Sequence, residues 1–168
     1  MTDYIKKFEF EVKPKQISYN AGEPLKLNSE FRFYHNKHKI RKELSALQYL
    51  FQDYIKNPLL ATGIRDSYVK ADYTENYLFV VLATAKTIKN TNEIIEEFVS
   101  KDLGNNCYYI KTDEDSLLIF AKNSGGITAG IQQTISILKQ VLESYFERKQ
   151  FDEFIKIPQF LLYDCKNK

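Results

Sequence analysis

The chain of 168 residues has few of the residues that interrupt or cross-link a small protein: four prolines, six glycines and two cysteines. Because linkers between domains are rich in proline and glycine, this scarcity predicts one domain. Two cysteines, Cys107 and Cys165, are too few for a disulfide scaffold. Cys107 lies in an apolar stretch, where a free thiol behaves as a small hydrophobic group. The sequence leaves open whether the two cysteines form a bridge.

Charge of one sign and long apolar runs are also lacking. The 24 basic and 22 acidic residues give a net charge of +2, so no general field attracts nucleic acid or an anionic membrane. No stretch approaches the roughly 18 apolar residues that span a bilayer, and residues 1–7 lack the apolar core of a signal peptide. We therefore expect no nucleic-acid partner and no membrane association, and the compartment stays open.

Tryptophan is absent, whereas tyrosine and phenylalanine occur twelve times each. Tyrosine buries a ring while keeping a polar tip near water, which suits sheet surfaces and interfaces. We interpret these aromatics as core and strand-face residues, with a ligand-stacking surface as the alternative.

Hydrophobic periodicity predicts a sheet covered by helices. Phe8, Phe10 and Val12 alternate with charged residues, as in a half-buried strand that ends at Pro14. The apolar run 77–85 is typical of a strand covered on both faces. Further strands are predicted at 30–35, 64–70, 107–111, 116–122 and 154–163, and helices at 39–56, 90–104 (with a left-handed cap at Gly104) and from 127 to about 148. The order predicts an α+β sandwich with a mixed, mostly antiparallel sheet.

The pair Gly125-Gly126, followed by Gly130, first suggests a phosphate-binding turn, because helix N-termini bind anions. The spacing fits neither the dinucleotide fingerprint nor a P-loop. We interpret the segment as a tight strand-to-helix turn, in which Gly130 lets the helix lie close to the sheet.

Other candidates for chemistry lack the necessary partners. His35 and His38 are three residues apart, but no cysteine or carboxylate lies at ligand spacing beside them. The basic run 32–42 could contact phosphate, although a charged helix start is the simpler interpretation. Ser124 and Ser136 have no activating histidine nearby in the sequence. Acidic side chains are paired at Glu96-Glu97, Asp113/Glu114/Asp115 and Asp152-Glu153. They are expected on a helix surface, a hairpin tip and a loop, not across a cleft. We predict no catalytic, cofactor-binding or metal-binding residue.

The segment 106–138 resembles part of the β-N-acetylhexosaminidases of glycoside hydrolase family twenty. In that family a strand, a short turn, a second strand and a glycine-started helix occur in the small α/β domain before the catalytic barrel. The matching positions are Tyr109 and Ile110 in the first strand, Leu117, Ile119 and Ala121 in the second, and Gly126, Gly130, Gln132 or Gln133, Thr134 and Leu138 in the helix.

The resemblance implies that residues 1–168 form a zincin-like accessory domain, with extended N-terminal strands over 1–38 and an exit strand over 154–168 that leads toward a barrel outside this chain. The family's catalytic Asp-Glu pair lies in that barrel. The chain alone would then be inactive and without a cofactor, in a parent enzyme that hydrolyses terminal N-acetylhexosamine. Its partner would be the barrel, and carbohydrate or a second copy are further candidates. The alternative is a self-contained module that binds carbohydrate, peptide or nucleic acid through the sheet or residues 32–42.

Overall fold

A computed structural model describes residues 7–27, 32–35, 45–47, 49–50, 61–63, 77–82, 104–114, 116–147 and 155–166. Residues 45–47 and 49–50 are helical. The other elements in these ranges are β1 Gln16–Tyr19, β2 Leu25–Leu27, β3 Arg32–His35, β4 Ala61–Gly63, β5 Tyr77–Leu82, β6 Cys107–Thr112, β7 Ser116–Ala121, α1 Ser124–Glu147, β8 Ile155–Ile157 and β9 Phe160–Cys165. Within this part of the chain, no helix is long and apolar enough to cross a membrane.

Among the described residues, seven strands form one mixed sheet in the order β1-β9-β6-β7-β5-β3-β4, and β2 pairs with β8 in a small second sheet. The pairs β1–β9, β9–β6 and β6–β7 are antiparallel, whereas β7–β5, β5–β3 and β3–β4 are parallel. The predicted α+β class is confirmed. The large sheet has as many parallel as antiparallel pairs of strands, because β5, β3 and β4 all run parallel to β7.

The predicted hairpin is confirmed as β6 and β7, and helix α1 packs on the same two strands. The predicted stripe of α1 is buried, with Ile127, Ile131, Leu138 and Leu142 each at most 1% exposed. These side chains share one core cluster with Ile110 and Ile119 of the sheet. Since they recur at intervals of three or four residues, a single helix face accounts for the contact. The helix is described from Ser124 to Glu147, and the predicted limit at 148 lies outside the described residues.

The predicted strand through Phe8, Phe10 and Val12 is wrong, because residues 7–15 are irregular and the first described strand begins at Gln16. Phe8 is buried against Phe160, with ring centroids 5.1 Å apart, whereas Val12 is 78% exposed. Side chains, and not a neighbouring strand, accept hydrogen bonds from backbone amides of this segment. The amide of Phe8 donates to the Tyr19 hydroxyl at 3.0 Å, and the amide of Glu9 donates to the Gln140 side chain at 2.8 Å.

The predicted strand 154–163 is divided into β8 and β9 by Pro158, which has no amide hydrogen for a ladder. The buried Thr112 side chain satisfies the backbone at this break. Its hydroxyl donates to the Pro158 carbonyl at 2.8 Å and accepts from the Phe160 amide at 2.9 Å. Thr112 therefore joins the end of the hairpin strand to the start of β9.

Several predictions fall wholly or partly outside the described residues. These are the helix at 39–56 apart from its five helical positions, the helix at 90–104, the strand at 64–70, and the ends of the strands at 30–35 and 77–85. The predicted left-handed cap at Gly104 is wrong, because no described glycine has positive φ. Asn106, two residues later, takes that conformation with φ 61°.

Candidate functional site

Gly125 and Gly126, predicted to form a turn ahead of the helix, lie in the first turn of α1 itself, which begins at Ser124. The Asn123 side-chain oxygen accepts from the Gly126 amide at 2.8 Å, and the Asn123 carbonyl accepts from the Ile127 amide at 3.1 Å. This side chain caps the helix, so it occupies an amide that an anion would otherwise bind.

Close approach between helix and sheet explains two of the glycines. A Cβ atom on Gly130 would lie 2.8 Å from Ile119 Cγ2 and 3.3 Å from the Tyr108 ring, and one on Gly126 would lie 2.9 Å from Ala121 Cβ. Any larger residue at these positions would push α1 away from β6 and β7. The prediction that Gly130 allows close packing is confirmed.

Cys107 and Cys165 form a disulfide that joins β6 to β9. This answers the question that the sequence left open, whether the two cysteines form a bridge. The two residues are separated by 58 positions in the sequence but lie directly opposite each other in the ladder. A backbone hydrogen bond from the Lys166 amide to the Asn106 carbonyl, 2.9 Å long, continues the pairing past the bridge. The last described strand is thus covalently fixed beside the hairpin.

The face of β6 and β9 opposite α1 carries a shallow depression of about 390 Å³. Side chains alternate between the two faces of a strand, so Tyr108, Ile110 and Leu162 face the core while Tyr109, Leu161 and Tyr163 face away. We call this depression the tyrosine face; the residues that line it are Lys13, Pro14, Lys15, Gln16, Ile17, Ser18, Tyr109, Leu161 and Tyr163.

Two tyrosines that line the tyrosine face pack against each other. Tyr109 and Tyr163 lie opposite each other in the ladder, and their ring centroids are 4.9 Å apart with an interplanar angle of 34°. Both are half-buried. Burial, and secondarily the neighbouring Tyr163, raises the pKa of Tyr109 above its ordinary value.

Charge on the tyrosine face is of one sign. Both charged residues that line it are lysines, Lys13 and Lys15, and both side chains are exposed. The nearby carboxylate of Asp164 is engaged on the other side of the sheet. It accepts the Lys15 amide at 3.3 Å and hydrogen-bonds to the hydroxyl of Tyr108. The depression therefore offers aromatic rings, two ammonium groups and the amide and hydroxyl of Gln16 and Ser18.

The residues weighed as catalytic or metal-binding candidates are not brought together in the described part of the chain. Asp113 closes the hairpin turn, since its carboxylate accepts from the amide and hydroxyl of Ser116 at 2.8 and 3.0 Å. Ser124 and Ser136 are exposed on α1. His35 lies in β3, while His38, Glu96, Glu97, Asp115, Asp152 and Glu153 lie outside the described residues. Over the described ranges, no three metal-ligating side chains form a group; the prediction of no site residues stays a prediction.

Sequence reasoning missed the tyrosine face because its members come from three distant segments. Tyr109, Tyr163 and Lys15 are joined only by the pairing of β1 with β9 and of β9 with β6. The adjacent residues Tyr108 and Tyr109 were a signal that one tyrosine faces away from the core. The sequence gives no sign of which partner lies beside it.

Solved structures of β-N-acetylhexosaminidases share this fold. The chain superposes on a family 20 enzyme from Streptomyces coelicolor A3(2) with a TM-score of 0.58 at 12% identity, over 90% of this chain and 25% of that one. An exo-β-N-acetylglucosaminidase of the same family from Vibrio harveyi gives 0.55 at 14% identity, over 90% and 18%. A chitobiase from Flavobacterium johnsoniae gives 0.52 at 10% identity, over 90% and 20%.

These similarities establish the fold, and the chain spans a quarter or less of the length of the enzymes it matches. No family profile matches the sequence, and no curated protein matches it.

Proposed function

We propose that this chain is the non-catalytic N-terminal domain of a β-N-acetylhexosaminidase-like glycoside hydrolase, and that it packs against a catalytic barrel outside the chain. One observation carries the proposal: nearly the whole chain matches a minor part of each similar enzyme. A fold that accounts for 18–25% of an enzyme's length leaves most of that enzyme, and room for a complete barrel, elsewhere.

The packing within the described residues agrees with a supporting role. The first turn of α1, with Gly125 and Gly126, is capped by Asn123 and packs closely on the sheet, so it does not form a ligand loop. The disulfide and the Thr112 hydrogen bonds fix β9 firmly to the hairpin. A fixed last strand would hold the following segment in a constant direction, which a domain that positions a barrel requires.

A docking surface for a barrel would be expected to expose apolar side chains. The large hydrophobic side chains found strongly exposed in the described residues are Val12 and Tyr49. The exposed positions of α1, by contrast, are polar, as at Gln132, Ser136 and Lys139. If α1 contributes to the contact, that interface would be a hydrogen-bonded one, as many interdomain contacts are.

The test is deletion of residues 1–168 from the full gene product. A supporting domain predicts that the remaining protein has a lower Tm or becomes insoluble, while any soluble fraction hydrolyses a chromogenic N-acetylglucosaminide with an unchanged KM. The proposal would be refuted if the truncated protein kept the Tm of the full gene product. It would also be refuted if the full gene product contained no barrel with an adjacent Asp-Glu pair.

A further inference from the structure

We infer that the tyrosine face binds an acidic oligosaccharide, one whose sugars carry carboxylate or sulfate groups. This inference does not depend on the proposed function, because the depression is built entirely from residues of this chain.

Tyr109 and Tyr163, which pack on each other as a tilted pair, provide the aromatic part of the surface. The C–H bonds of a pyranose ring carry a slight positive charge and pack on the electron-rich face of an aromatic ring. Tyr109 and Tyr163 are held in place by the register of β6 and β9 and by the Cys107–Cys165 bridge two residues away on both strands. A binding surface whose rings are fixed in advance loses little conformational entropy when a ligand binds.

Size and polarity also fit a short carbohydrate. The face crosses β1, β9 and β6, which at the usual spacing between strands is about 10 Å. Its volume of about 390 Å³ lies at the lower end for ligand sites. Gln16 and Ser18 are exposed on β1 and point to the same side as the rings, since they pair with Tyr163 and Leu161. Their amide and hydroxyl groups suit the hydroxyls of a sugar.

Charge selects an acidic ligand. Lys13 and Lys15 line the rim, and no carboxylate is found among the described residues that line the depression. A nucleic acid would also combine stacking with negative charge, but two rim lysines provide few phosphate contacts, and the chain as a whole carries only +2.

The experiment is isothermal titration calorimetry of the purified chain with three hexasaccharides: hyaluronan, which carries carboxylates, chondroitin sulfate, which carries sulfates as well, and neutral chitohexaose. At least one acidic probe should bind, and more tightly than chitohexaose. Tyr109→Ala should weaken binding about 5- to 10-fold, and Lys13→Ala with Lys15→Ala about 3-fold or more, with a loss that grows as salt is lowered.

The chain offers matched controls. Tyr49, which is 66% exposed on a helical segment, and Lys139, exposed on α1, lie away from the depression. Tyr49→Ala and Lys139→Ala should leave the affinity unchanged. The lysine variants lie in an exposed segment, so they test the inference even if Tyr109→Ala lowers the Tm.

Failure of both acidic probes to bind, equal binding of chitohexaose, tighter binding of a single-stranded RNA hexamer, or identical affinities for the face variants and their controls would each overturn the inference. If the gene product lacks a barrel but the chain still binds the acidic probes as described, the inference stands and only the proposed function is refuted.

Discussion

Tyr108 and Tyr109 are adjacent in β6 and experience opposite environments. Tyr108 is 4% exposed beneath α1, and its pKa is raised well above the ordinary value by burial and then by the charge and hydrogen bond of Asp164. Tyr109 lies on the tyrosine face beside Tyr163. The same residue type thus packs in the core on one side of the sheet and lines a surface depression on the other. The side of the sheet on which a tyrosine lies therefore determines whether it is buried or lines the surface.

The largest expected difference between the two faces is in stability. Ile110 is completely buried under α1, so Ile110→Ala should lower the free energy of unfolding by about 2–5 kcal/mol through lost burial and the cavity it leaves. Ser18→Ala, on the exposed edge strand, should change it by less than about 0.5 kcal/mol. Urea unfolding of both variants checks this. Equal losses would mean that the two faces are not distinct.

The disulfide affects both stability and the tyrosine face, because it joins β6 to β9, the strands that carry Tyr109 and Tyr163. Replacing Cys107 and Cys165 by serine should cost about 2–4 kcal/mol, since the bridge closes a long loop. It should also weaken acidic-oligosaccharide binding at temperatures where the variant is still folded. The measurement is thermal unfolding with and without a reductant. A variant with wild-type Tm would show that the bridge does not stabilise the pairing of β6 with β9.

The smallest expected effect is on the pH dependence of stability. A raised folded-state pKa means that the unfolded chain holds fewer protons above pH about 10, so stability falls as pH rises through that value toward the folded-state pKa. Tyr108→Phe should remove part of this fall, and Tyr109→Phe should remove less, because Tyr109 is the more exposed.

Urea unfolding between pH 8 and 11 gives the slopes. Tyr108→Phe should also cost about 1 kcal/mol near neutral pH through the lost hydrogen bond to Asp164. Slopes identical to that of the wild-type chain would contradict the buried assignment of Tyr108.

Local patterns predicted the hairpin, the stripe of α1 and the close approach at Gly130, because each depends on neighbouring residues in the chain. The segment at Phe8 was predicted wrongly. Its apolar and charged residues alternate as in a strand, but its amides donate to the side chains of Tyr19 and Gln140, which are distant in the sequence.

Long-range pairing explains what the sequence could not provide. The disulfide and the tyrosine face both require the antiparallel register of β6 with β9, and Lys13 and Lys15 join the face only because β1 lies at the sheet edge. No periodicity within a single segment encodes these neighbours.

The central proposal is that this chain supports a catalytic barrel and does not itself perform hydrolysis. The most direct measurement is the turnover of a chromogenic N-acetyl-β-glucosaminide by the purified 168-residue chain, with a family 20 hexosaminidase as the positive control. The account predicts no release of chromophore above the buffer rate. Turnover that purifies with the chain and is lost on substitution of one of its own side chains would contradict it.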